Sequence, residues 1–145
     1  NPRLCKLSRG LGDVYKRQPL PADNDAMARL EELKEPLEEL AGKVRDHLEV
    51  VPAEHEAYVY LGRPPKRFGI AWIHDGKLDG LKELVDENHL SQAQTQKLVS
   101  ALGTAYEHAS DAPRYSAELA GKKVVVIPSR ELGQKVHEIM ESAIH

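Results

Sequence analysis

Cysteine is almost absent: the 145 residues hold one, Cys5, and none follows it. A lone thiol closes no intrachain disulfide, and the chain beyond it has neither a thiolate metal site nor a cysteine nucleophile. The compartment stays open, because a body without cysteine survives in either redox environment. No apolar run approaches the ~20 residues needed to span a bilayer, so no transmembrane span is expected. Also missing are a Gly-x-x-x-x-Gly-Lys phosphate loop, a Gly-x-Gly-x-x-Gly turn, a His-Glu-x-x-His helix and a Gly-x-Ser-x-Gly elbow. The seven histidines are scattered, and the one helical pair, His137 with Glu141, lacks the further ligands that zinc requires. Neither metal nor cofactor is expected.

Residues 1–18 stand apart from the rest. The run Asp13-Val14-Tyr15-Lys16-Arg17-Gln18 resembles the translation of a transposon end used to fragment DNA for sequencing. These eighteen residues are therefore read as a non-native scar and kept out of the fold reasoning. Five of the 20 basic residues and one of the 23 acidic residues fall there, leaving 15 against 22 and a net charge of −7. So acidic a surface repels phosphate backbones, which argues against nucleic-acid binding. Residues 19–25 are polar and proline-rich and read as a linker. Residues 26–145 are of a length that suits one domain with a single core.

From Ala26 to Val51, Leu30, Leu33, Leu37, Leu40, Val44 and Leu48 form a helical stripe opposite Glu31, Glu32, Glu38 and Glu39. The stripe keeps phase across Pro36, which predicts one kinked helix. Two β-type runs follow, Glu56–Leu61 and Phe68–His74. A six-residue loop between them would set Leu61 against Phe68, Val59 against Ile70 and Ala57 against Trp72. Asp75-Gly76 reads as a turn into a short helix from Leu78 to about Asn88. Ser91 with Gln94 makes a capping-box start for a helix that stops before Pro113. Tyr115–Leu119 and Lys123–Ile127 read as a second hairpin across Gly121-Lys122. Val124-Val125-Val126-Ile127, apolar without alternation, suggests a strand covered on both faces. Ser129 caps a last helix with Leu132, Val136, Ile139, Met140 and Ile144 turned inward. The expected fold is α+β: a single layered domain of about four mostly antiparallel strands in two hairpins, packed by about four helices, in the order α-ββ-αα-ββ-α.

Three groups of residues carry the functional expectations. Arg63, Lys66 and Arg67 crowd one proline-bearing loop that can grip an acidic partner or a phosphate, or serve as a solvated turn. Trp72, His74 and Asp75 gather aromatic, imidazole and carboxylate at a strand end, where they serve a ligand, or the core and a turn. Leu30, Leu33, Leu37, Leu40 and Val44 either dock onto the chain's own sheet or zip to a partner helix. With no convergent reactive set, the sequence predicts a small non-catalytic module for binding or assembly, working through a protein partner or self-association. The alternatives are an enzyme acting on a small anionic substrate near His74, with Arg63, Lys66 or Arg67 holding the anion, and a scaffold that oligomerises through the helix 26–51.

Overall fold

The computed structural model describes residues 18–21, 24–64 and 66–144. Residues 1–17, most of the expected scar, lie outside the described set, as do Pro65 of the basic loop and the side chain of Ile144. Along the chain run α1 (Asp25–Glu32), α2 (Lys34–Lys43), β1 (Leu48–Ala53), β2 (Glu56–Arg63), β3 (Arg67–His74) and β4 (Lys77–Gly80). Then come α3 (Leu81–Glu87), α4 (Gln92–His108), β5 (Tyr115–Leu119), β6 (Lys122–Val126) and α5 (Arg130–Ile144). The strands make one sheet in the order β4-β3-β2-β1-β6-β5. β1 and β6 run parallel, and every other neighbouring pair is antiparallel. The α+β class stands, with six strands and five helices among the described residues in place of about four of each.

Helices cover both faces of the sheet. On one face Leu30, Leu33, Leu37 and Leu40 pack over Leu48, Val50, Val59, Val124 and Val126, with Val44 half-buried beside them. On the other, α3, α4 and α5 bring Leu84, Leu98, Leu102, Leu132, Val136 and Met140 onto Val51, Tyr58, Tyr60, Ile70, Trp72 and Ile127. A strand buried on two sides needs no alternation, which is why Val124 to Ile127 are all apolar and fully buried.

The expected single helix over 26–51 is instead two helices and a strand. Leu33 leaves helical geometry (φ −105°, ψ 16°), and Pro36 falls in the first turn of α2, where its missing N–H had no intrahelical partner to find. The leucine stripe continues across the break, so both halves bury the same face. Leu48 and Val51 fit the helical phase and a strand equally well, and β-branched Val50-Val51 between two neighbouring strands settles the matter as β1. Pro52 tolerates this central position because the parallel ladder ends there. Ile127 N–H donates to Val50 O at 2.8 Å, and Ile127 O accepts from Ser129 N–H at 2.8 Å, so the proline leaves no carbonyl unsatisfied.

The β2–β3 register is one residue from the expected one. Arg63 pairs with Arg67 and closes a three-residue loop, which sets Tyr58 opposite Trp72 and Tyr60 opposite Ile70. β3 is thereby flipped relative to β2, so that Phe68, Ile70 and Trp72 share a face with Tyr58 and Tyr60 rather than with Ala57, Val59 and Leu61. The Asp75-Gly76 turn is present with both φ angles positive (52° and 71°), the two-residue form that matches strand twist. It leads into β4 rather than a helix, so Leu78 belongs to an edge strand and α3 starts at Leu81. The last hairpin turns at Ala120-Gly121, one residue before the expected place. The capping box at Ser91 and the cap at Ser129 are both formed. Pro19 and Leu20, expected in a linker, lie along β5: Leu20 N–H donates to Ser116 O at 3.0 Å, and the Leu20 side chain is buried. Among the described residues no helix is long and apolar enough to cross a membrane.

Candidate functional site

The parallel pair gives the sheet a polarity, and the carboxyl ends of β1 and β6 meet at one edge. From there β1 turns back into β2 through Glu54-His55, while β6 feeds α5. Chains that part in this way leave a crevice beyond the strand ends. α5 packs over β1 at Gly133, where an added Cβ would stand at ordinary contact distance, 3.7 Å from Pro52 O and 3.8 Å from the Ala53 Cβ. The resulting cleft, of about 330 Å³, is lined by Arg29 from α1, Glu54 and Glu56 from the β1–β2 hairpin, and Arg130, Gln134 and His137 from α5.

At its inner end polar side chains converge. His137 Nδ1 lies 2.9 Å from Glu56 Oε1 and 3.0 Å from Tyr58 Oη, and Tyr58 donates its own hydroxyl to Glu56. The consistent arrangement has Nδ1–H donating to the Glu56 carboxylate, with Nε2 standing 3.8 Å from Glu141 Oε1. Burial, then the Glu56 and Glu141 carboxylates, push the Tyr58 phenol well above its ordinary value, so it stays a donor. At the outer end Arg130 Nη2 meets Asp25 Oδ2 at 3.2 Å, and both side chains are exposed. His55, in the left-handed region at φ 61°, faces Glu32 Oε2 at 2.9 Å. The hydrogen bond and charge of Glu32 hold its imidazole above the usual value.

The expected residues divide between two edges. Trp72 and His74 stack at 3.9 Å between ring centroids, and Trp72 also stacks on Tyr58 at 6.2 Å. His74 is the cross-strand neighbour of Glu56, so this pair borders the cleft. Its ring is clamped, with Nε2 3.0 Å from Asp79 Oδ2 and Nδ1 3.5 Å from Asp75 Oδ2. The buried Trp72 Nε1 has no hydrogen-bond partner among the described residues. Arg63, Lys66 and Arg67 are exposed at the other end of the same hairpin, about 20 Å away at the usual rise per residue. They cannot hold a substrate against His74. Leu30, Leu33, Leu37 and Leu40 are buried in the core.

A second polar cluster escaped the sequence reading. Glu49, in the middle of the sheet, is buried, with Tyr106 Oη donating to its Oε1 at 2.7 Å. Arg114 Nε stands at 3.8 Å and His47 Nε2 at 3.5 Å. Burial drives this carboxyl upward, but hydrogen bonds from His47 and Tyr106 and the charges of His47 and Arg114 outweigh it and hold the group below its ordinary value. Arg114 also stacks over the Tyr106 ring and binds the Ala109 and Ala112 carbonyls. The cluster fastens the end of α4 to the sheet.

Among the described residues no group of three or more histidine, cysteine, aspartate or glutamate side chains is placed to hold a metal ion. Comparison with protein-family profiles, characterised proteins and solved structures finds no match to the chain.

Proposed function

We propose that the protein is a small binding module whose ligand occupies the cleft at the carboxyl edge of the parallel pair. The observation that supports this reading is the convergence of Arg29 and Arg130, from two different helices, with the Glu56–His137 pair on one crevice. Its volume lies at the lower end of the ~300–1,000 Å³ of small-molecule sites. The lining carries both signs, with the guanidinium groups of Arg29 and Arg130 and the carboxylates of Glu54 and Glu56. A complementary ligand carries a carboxylate or phosphate at one end and an ammonium or hydroxyl donor at the other. Thermal-shift assays with L-serine, L-aspartate, O-phosphoserine and glycerate test this directly. A saturable rise in Tm that disappears in the Arg29→Ala/Arg130→Ala double variant supports the reading, and no response to any of the four counts against it.

One observation favours a catalytic reading as well. Glu56 orients His137 through Nδ1, which is how a carboxylate prepares an imidazole to accept a proton at Nε2. An enzyme acting on a small anionic substrate would then work through His137, which lines the cleft, rather than His74, which lies beside it. Turnover of a compound that binds the wild type, abolished in His137→Ala with binding retained, would establish it. Assembly through the leucine stripe is the weaker reading, since its leucines already serve the chain's own core.

A further inference from the structure

The opposite edge of the sheet is basic. The β1–β2 ladder pairs Leu48 with Leu61 and continues through the Gly62 N–H to the His47 carbonyl at 2.8 Å. On the other side Glu49 is level with Val125 of β6, and Lys122 Nζ reaches the Val44 and Asp46 carbonyls at 3.0 and 2.6 Å. Extending both registers places Lys122, residue 46, Arg63 and Arg67 side by side on four adjacent strands. At ~4.8 Å per strand the row is roughly 14 Å long. Arg45 and Lys66 flank it, and all of Arg45, Arg63, Lys66 and Arg67 are exposed. None of those four has an ion-pair partner among the described residues, and the exposed carboxylate within the row is Asp46.

Arg63 and Arg67 are direct cross-strand partners, and like charges in that position cost stability. The geometry is nonetheless fixed. Gly62 has φ +100°, and a Cβ there would lie 3.0 Å from Arg67 O, so the strands are tightly apposed immediately before the tip. Two guanidinium-bearing residues are thus held side by side, in a chain whose formal net charge is −3.

We propose that this edge docks a short acidic peptide segment of a partner protein, with Arg63 and Arg67 taking its carboxylates and Lys66 and Arg45 flanking them. An extended segment of about four residues spans ~13 Å and matches the row. A longer polyanion such as nucleic acid would run past so short a row, on a chain whose formal net charge is −3. The site is independent of the cleft, which lies at the other end of the strands.

Fluorescence anisotropy with a fluorescein-labelled hexaglutamate peptide tests the proposal at 50 and 300 mM salt. Expected is saturable binding at low salt that weakens at least tenfold in Arg63→Ala/Arg67→Ala and in Lys66→Glu, while Lys97→Ala, remote on α4, binds as wild type. Lys66 lies in the loop outside the ladder, so its variant tests the site without touching strand pairing, and circular dichroism verifies each fold. No binding at 50 mM salt, undiminished binding in both variants, or tighter binding of a labelled oligothymidylate than of the peptide would each overturn it.

Discussion

Glu56 and His137 meet at 2.9 Å although 81 residues separate them in the chain, and this contact ties the last helix to the second strand at the rim of the cleft. Charge-assisted hydrogen bonds of this kind contribute about 1.5–3 kcal/mol. Glu56→Ala removes the acceptor shared by His137 and Tyr58, and an expected loss of about 2 kcal/mol should appear as a lower urea midpoint. His137→Ala should cost less, because Tyr58 keeps its bond to Glu56. Equal stability of wild type and Glu56→Ala would show that the cluster does not hold α5 in place.

Glu49 sets the acid limit of the fold. Its carboxyl is held below the ordinary value in the folded chain. The stabilisation is therefore complete above the unfolded value, near pH 4.3, and is lost as pH falls through the folded one. Glu49→Gln should flatten the dependence of stability on pH below about 4.5, as read from urea midpoints at successive pH values. Glu49→Ala, which strands the Arg114 charge inside, should cost about 3–5 kcal/mol at pH 7.

At the alkaline end the tyrosines take over. Burial, chiefly, raises the phenols of Tyr58, Tyr60 and Tyr106, with further upward pushes from Glu56 and Glu141 on Tyr58 and from Glu49 on the other two. Groups raised in this way stabilise the fold below the unfolded value near 10, and that contribution is lost as pH climbs beyond it. Phenolate absorbance at 295 nm should show these three ionising together with unfolding. Three independent titrations near pH 10 in a folded chain would contradict their burial.

Two glycines should respond to alanine with opposite sign. Gly42, inside α2, has nothing within 4 Å of the point where an alanine methyl would stand, so Gly42→Ala should stabilise by about 0.5–1 kcal/mol through helix propensity. At Gly62 the positive φ and the 3.0 Å approach to Arg67 O make Gly62→Ala destabilising by about 1–3 kcal/mol. Thermal melts of the two variants, moving apart from the wild type, check both.

What the sequence made legible was local chemistry. The Ser91 capping box, the Ser129 cap and the Asp75-Gly76 turn are each built from neighbouring residues, and all three formed. The leucine stripe also announced a buried helical face. Strand β1 was missed because Leu48 and Val51 satisfy two periods at once, and the choice between them depends on β2 and β6, which pair with it only in the folded chain. The β2–β3 register turned on a loop of three residues rather than six. The cleft was illegible for the same reason as β1: Arg29, Glu56 and His137 stand on three elements that only the assembled sheet, with its parallel β1–β6 pairing, brings to one edge. Of the expected site, Trp72 and His74 border that edge, whereas Arg63, Lys66 and Arg67 mark the opposite one.

Amide chemical-shift mapping with ¹⁵N-labelled protein and O-phosphoserine tests the central claim most directly, because it reports position as well as affinity. Saturable shifts concentrated at Arg29, at residues 53–56 and at residues 130–137, and absent from Arg29→Ala/Arg130→Ala, are expected. Shifts confined to the Arg63–Arg67 tip, or scattered and unsaturable, would contradict the assignment of this cleft as the ligand site.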